Sequence, residues 1–203
     1  VAGLKARRDR DLVPFTILTC DNLPTNGRMV RQVVTAFAHE IDPALADWIN
    51  VNAGFPCTMV DRITPATTNQ DVEWLAASKG YLDRATVVHE PFRQWVIETG
   101  FSDGHPDWAA AGVQFVSDVE SHELMKLRCL NGTHSALAYL GYLAGHETIS
   151  ETVADVPFER LCDRLWHDEI LPTLETPEGE DLPRYCRSLM ARYRNPAIRH
   201  RTW

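Results

Sequence analysis

Val13-Pro14-Phe15-Thr16-Ile17-Leu18-Thr19-Cys20 runs directly into Asp21-Asn22-Leu23-Pro24-Thr25-Asn26-Gly27. The first eight residues are apolar and partly β-branched, which suits a strand buried on both faces of a parallel sheet. The next seven are rich in turn formers. A helix fits Val30, Val33, Val34, Phe37, Ala38 and Ile41 beyond them. Strand, loop and helix in that order predict an α/β unit. Working outward, Asp42-Pro43 opens another helix through Leu45 and Trp48, with a capping residue followed by proline at its first position. Residues 57–63 read as a strand, 71–78 as a helix stopped by Gly80, and 85–88 and 92–97 as two more strands. From Val119 the pattern turns helical, over 119–145, 156–170, 182–194 and 196–203, with a loop at 173–183. The fold class is therefore α/β followed by all-α.

The chain has 203 residues, enough for one large domain or two small ones. With 44% hydrophobic and 24% charged residues, it is globular. A net charge of −8 argues against nucleic acid or an anionic membrane as partner. No apolar run approaches the ~20 residues that span a bilayer. The five cysteines, Cys20, Cys57, Cys129, Cys162 and Cys186, are widely spaced and form no Cys-x-x-Cys. They predict a reduced, cytoplasmic protein without a disulfide framework or structural zinc. His-Glu pairs at His39, His89, His122 and His146 all lack a second histidine four residues on, so the helical zinc-protease signature is missing. The chain starts at Val1 and stops at Trp203 within a helical pattern, which leads to the expectation of a piece of a longer protein.

The chemistry concentrates in Lys126-Leu127-Arg128-Cys129-Leu130-Asn131-Gly132-Thr133-His134. Leu124, Met125, Leu127, Leu130, Leu137 and Leu140 surround it at helical spacing. At about 100° per residue, Lys126, Asn131 and His134 span an arc of about 140°. A buried amine, a carboxamide and an imidazole so grouped can take a proton and hold an oxyanion; the plainer alternative is a solvated lysine beside a locally bonded histidine. A lysine works as a base only if its pKa falls from about 10.4, which desolvation by apolar flanks promotes. Arg128, two residues away, faces another side. Asn22 follows a candidate buried strand, where open α/β sheets bind ligands, though an Asx turn would also use it. Asp61 and Arg62 interrupt an apolar strand, and Asp61 could simply pair with Arg62 or cap a helix.

Four stretches carry a wider resemblance. They are Thr19 to Gly27; Phe55-Pro56-Cys57-Thr58-Met59-Val60-Asp61-Arg62-Ile63-Thr64-Pro65; Pro91-Phe92-Arg93-Gln94-Trp95-Val96-Ile97-Glu98; and Lys126 to Gly141. In composition and order they resemble the polyol-specific long-chain dehydrogenases, the family of mannitol 2-dehydrogenase and fructuronate reductase. The resemblance implies the second half of a Rossmann-type nucleotide domain over 1–118 and the start of a multi-helical substrate domain over 119–203. It implies zinc-independent hydride transfer between NAD or NADP and a secondary alcohol of a polyol or a sugar acid; the acidic charge already argues against a nucleic-acid or membrane partner. It places the general base on Lys126, oxyanion donors on Asn22 and Asn131, and a substrate contact on His134. Asp61 is assigned to the cofactor side and Arg62 to the substrate. For a carboxylate substrate, Arg62, Arg199 and Arg201 are the candidate cations. One departure stands out: none of the 11 glycines forms Gly-x-Gly, the dinucleotide turn. A non-catalytic helical binding module that keeps the fold is the competing reading.

Overall fold

The computed structural model describes residues 1–203 as two compact units, Val1–Val60 with Gln94–Glu123, and Asp61–Arg93 with Leu124–Trp203. In the first unit, α1 (Ala2–Arg8), α2 (Asn26–Ile41) and α3 (Pro43–Asn52) pack around Leu4, Ala38, Leu45, Ala46 and Ile49. Asp42 ends α2 and caps α3, its carboxylate accepting from the Ala44 and Leu45 amides at 3.0 and 3.3 Å. This satisfies two of the orphan donors that every helix start leaves. Gly27 explains why α2 can begin where it does. A Cβ there would lie 2.5 Å from the Phe55 carbonyl oxygen and 2.6 Å from that of Pro56. Both are backbone atoms with nowhere to go, so only glycine fits.

The sheet has three strands in the order β1 (Thr58–Asp61), β2 (Gln94–Glu98), β3 (Gln114–Val116). β2 and β3 are parallel, in the register Val96 to Gln114 and Glu98 to Val116. Cys57, Met59, Val96, Val116 and Val119 form their shared core. The expected strand over 13–20 is corrected: these residues form no ladder. Their polar groups are met piecemeal, Ile17 N–H donating to Gly54 O at 3.0 Å and the Thr58 hydroxyl to Thr19 O at 2.7 Å. Residues 85–88 are also not a strand. Asp83 accepts from both the Ala85 amide and the Thr86 hydroxyl, at 2.8 Å each, and turns that segment locally.

The second unit contains α4 (Asn69–Lys79), with a Thr68/Asp71 capping box and Gly80 in the left-handed region at φ 77°. Its helical part comprises α6 (Thr133–Leu143), α7 (Ile149–Ala154), α8 (Val156–Arg164) and α9 (Leu182–Tyr193). Met125, Leu137, Val153, Trp166 and Leu189 lie at the centre of its core. α5 (Glu120–Met125) leads into α6 through the π-helical segment Lys126–Gly132. A second π-helical segment, Leu165–Ile170, extends α8. The expected helix over 196–203 is corrected too. The Ile149 amide donates to His200 O at 2.9 Å and the Thr202 amide to Glu147 O at 3.1 Å, which draws the segment into a bridge between Thr148 and Arg201. No helix is long and apolar enough to cross a membrane.

Candidate functional site

Lys126 and Asn131 are the first and sixth residues of a π-helical stretch. This is where the structure departs most usefully from expectation. In an α-helix, residues five apart stand about 140° from each other around the axis. A π-turn closes on the fifth residue instead of the fourth, and so brings Asn131 one turn along from Lys126. Lys126 is buried, 9% exposed, whereas Asn131 is exposed. A buried amine beside an accessible carboxamide suits a base and an oxyanion donor that meet one small molecule. Arg128 points elsewhere, its guanidinium donating to the Thr173 carbonyl and hydroxyl at 2.9 and 2.8 Å.

His134 is the second residue of the following α-helix and is half-buried. Its Nε2 lies 3.0 Å from Nδ1 of His200, one ring donating and the other accepting. The rings are 4.3 Å apart between centroids, and the Tyr193 ring centroid lies 6.4 Å from that of His134. Burial, then the neighbouring His200, pushes the His134 pKa down to about 4. The imidazole is therefore neutral at pH 7 and can donate or accept. Because folding favours its neutral form, the stability it contributes is complete above about pH 6.5 and is lost as the pH falls toward 4. In an NMR titration of the imidazole protons, His134 is expected to show a midpoint near 4. A midpoint near 6.5 would contradict the burial and the His200 contact. Sequence reasoning missed His200, which sits in a segment read as a helix end.

Asp61 and Arg62 go separate ways. The Asp61 carboxylate, 2% exposed, receives both terminal nitrogens of Arg192, at 2.7 and 2.8 Å, and the Tyr185 hydroxyl at 3.2 Å. Arg192 turns its Nε and one terminal nitrogen to Glu90, at 3.0 and 2.7 Å. Glu90 also accepts the Ile63 amide at 2.7 Å, and the guanidinium lies 4.1 Å from the Phe92 ring centroid. Two carboxylates share one arginine, bidentate on each side. Burial pulls the Arg192 pKa down, but the bonds and charges of Asp61 and Glu90 outweigh it and raise it. Burial, reinforced by Asp61, raises that of Tyr185. The partner of Asp61 is thus Arg192, and Arg62 instead donates from its exposed side chain to Phe92 O at 2.9 Å. The cluster ties the 61–93 segment to α9. Two charges in apolar surroundings, Asp61 in a strand and Arg192 in a helix face, hinted at it in the sequence.

Asn22 belongs to the other compact unit, exposed in the turn that precedes α2. Near it, the Thr25 amide donates to Glu123 at 3.0 Å, and Asn26, 1% exposed, donates to Asp21 O and Thr58 O at 2.9 and 3.0 Å. Burial raises the Glu123 pKa, against the lowering effect of the Thr25 amide. Gly54, like Gly27, lies tight against the chain's own backbone: a Cβ there would stand 2.4 Å from the Gly100 carbonyl oxygen. No three His, Cys, Asp or Glu side chains converge to hold a metal ion.

Comparison with known proteins gives these residues a context. Residues 1–110 match the family model described as the mannitol dehydrogenase Rossmann domain, and 118–203 match the mannitol dehydrogenase C-terminal domain. D-mannonate oxidoreductase of Escherichia coli is 49% identical over 203 residues, 100% of this chain and 42% of that protein. The chain thus spans about two-fifths of the length of such relatives. The structure of a D-sorbitol dehydrogenase in substrate-free form superposes with a TM-score of 0.94 at 38% identity, covering 98% of this chain and 41% of that one. Mannitol 2-dehydrogenase of Pseudomonas fluorescens, in a ternary complex with NAD and D-mannitol, gives 0.84 at 41% identity, covering 98% and 40%. An α/β half followed by a helical half, matched along nearly its whole length by two consecutive family domains, places this chain in the mannitol dehydrogenase family.

Proposed function

We propose that the protein carrying this chain is an NAD- or NADP-dependent dehydrogenase that interconverts a secondary alcohol and a ketone on a polyol or a sugar acid, in the cytoplasm and without a catalytic metal. The observation that carries this is the buried Lys126 with Asn131 one π-turn along. In oxidation, neutral Lys126 takes the proton of the reacting hydroxyl. Asn131, with Asn22 as the second carboxamide the family resemblance supplies, donates to the oxygen as negative charge grows on it. His134, neutral at pH 7, contacts a neighbouring hydroxyl. A nicotinamide dinucleotide supplies the hydride acceptor. On this reading, residues 1–118 belong to the nucleotide domain and 119–203 to the substrate domain.

Two substrate classes compete. Similarity to the E. coli D-mannonate oxidoreductase favours a sugar acid, and the mannitol-bound relative favours a polyol. A carboxylate would need a cation, and exposed Arg62, Arg199 and Arg201 offer three. Assay of the whole protein with mannitol, mannonate and related alcohols, and with both nucleotides, is expected to show turnover on one class. Absence of turnover on every alcohol, together with no nucleotide binding, would favour the non-catalytic binding module. Activity lost to chelation and restored by zinc would overturn the metal-free mechanism.

A further inference from the structure

A side chain of one π-helical segment bonds the backbone of the other. The indole N–H of Trp166, in Leu165–Ile170, donates to the carbonyl oxygen of Cys129, in Lys126–Gly132, at 3.0 Å. The Tyr193 hydroxyl, at the end of α9, donates to the next carbonyl, Leu130 O, at 2.8 Å. Thr133 completes the group: its hydroxyl reaches Cys129 O and lies 2.9 Å from the Tyr193 hydroxyl. Cys129 O accepts from both the Thr133 hydroxyl and the Trp166 indole on its two lone pairs, and Leu130 O accepts from the Tyr193 hydroxyl. Trp166 and Tyr193 are 2% and 3% exposed, and their rings stack at 15° with centroids 6.4 Å apart.

A π-turn is rare and needs its surroundings to hold it, because it displaces carbonyls from the regular four-residue ladder. Buried indole and phenol groups need hydrogen-bond partners in turn. Here they find them on Cys129 O and Leu130 O, two of the four carbonyls that lie between Lys126 and Asn131. We propose that Trp166 and Tyr193 are positioning residues, which hold the π-turn open by donating to Cys129 O and Leu130 O and so set Lys126 and Asn131 one above the other. The inference rests on the reading of Lys126 and Asn131 given above. If the turn relaxed to α-helix, the pair would stand about 140° apart around the axis, and one of the two would leave the substrate oxygen.

The test uses the whole protein with its alcohol substrate. Tyr193→Phe removes the phenol donor to Leu130 O, and benzothienylalanine at position 166 removes the indole donor to Cys129 O while keeping the shape of the indole, with Thr133 left in place. Each is expected to lower kcat, and the two together by on the order of 10²-fold, the usual cost of about 1 Å of misplacement. The pH profile of kcat should shift, and nucleotide affinity should not. Variants that melt earlier but keep kcat, KM and the pH profile would show a merely structural role and overturn the proposal. Lys126→Ala runs alongside. If it is inactive while the donor variants are normal, the positioning role fails alone. If it is active, the reading of Lys126 fails and the positioning role with it.

Discussion

Lys126→Ala in the whole protein is expected to cut turnover in alcohol oxidation by about 10²–10⁴-fold, the contribution of a positioned general base. Nucleotide binding should change little, since the amine is proposed to meet the alcohol. The wild-type rate should rise with pH, because only the neutral amine can accept the hydroxyl proton. Lys126→Arg should not rescue, since a guanidinium stays protonated at any working pH and its planar fork does not fit a point contact. Steady-state kinetics of both variants across pH, with nucleotide titrations, checks all three statements. Near-normal turnover in Lys126→Ala would return the lysine to a structural place in the helix.

The largest expected loss of stability lies at Arg192. Arg192→Met leaves the carboxylates of Asp61 and Glu90 buried without their cation, Asp61 keeping only the Tyr185 hydroxyl. Breaking a buried ion cluster from one side costs about 3–5 kcal/mol, much more than the net worth of the intact cluster. Denaturant unfolding of the variant should show that loss. Adding Asp61→Asn and Glu90→Gln to Arg192→Met should recover most of it, because the penalty comes from unpaired charge. A single Arg192→Met variant as stable as the wild type would show that the three groups do not form the buried cluster described.

Much of this was legible in the sequence, for identifiable reasons. The helices over α2, α3 and α9 announce themselves by apolar spacing and by caps at Asp42 and Asp181, both of which accept helix-start amides. The residues of β1 and β2 are apolar enough to read as strands. Residues 13–20 and 85–88 misled because a β-branched apolar run fixes propensity, whereas a strand needs a neighbour to pair with. β3, with three residues, is too short to show a period. α7 could have been found, since Thr148-Ile149-Ser150-Glu151 is a capping box.

The site shows the same division. Lys126, Asn131 and His134 are visible as polar residues in an apolar helical stretch. The π-winding that relates the first two is not, because it depends on donors 37 and 63 residues away, at Trp166 and Tyr193. The pairing of Asp61 with Arg192, 131 residues on, is invisible for the same reason: proximity in the chain suggested Arg62 instead. Local periodicity finds chemical groups, and long-range hydrogen bonds decide how they face one another.

The most direct test of the account is a crystal structure of the whole protein with nicotinamide nucleotide and an alcohol substrate bound. The account predicts that Nζ of Lys126 and the carboxamide nitrogen of Asn131 both lie within about 3 Å of one substrate hydroxyl oxygen, with the π-turn between them intact. A substrate whose reacting hydroxyl is held by other groups, with Lys126 beyond hydrogen-bond reach of it, would contradict the account.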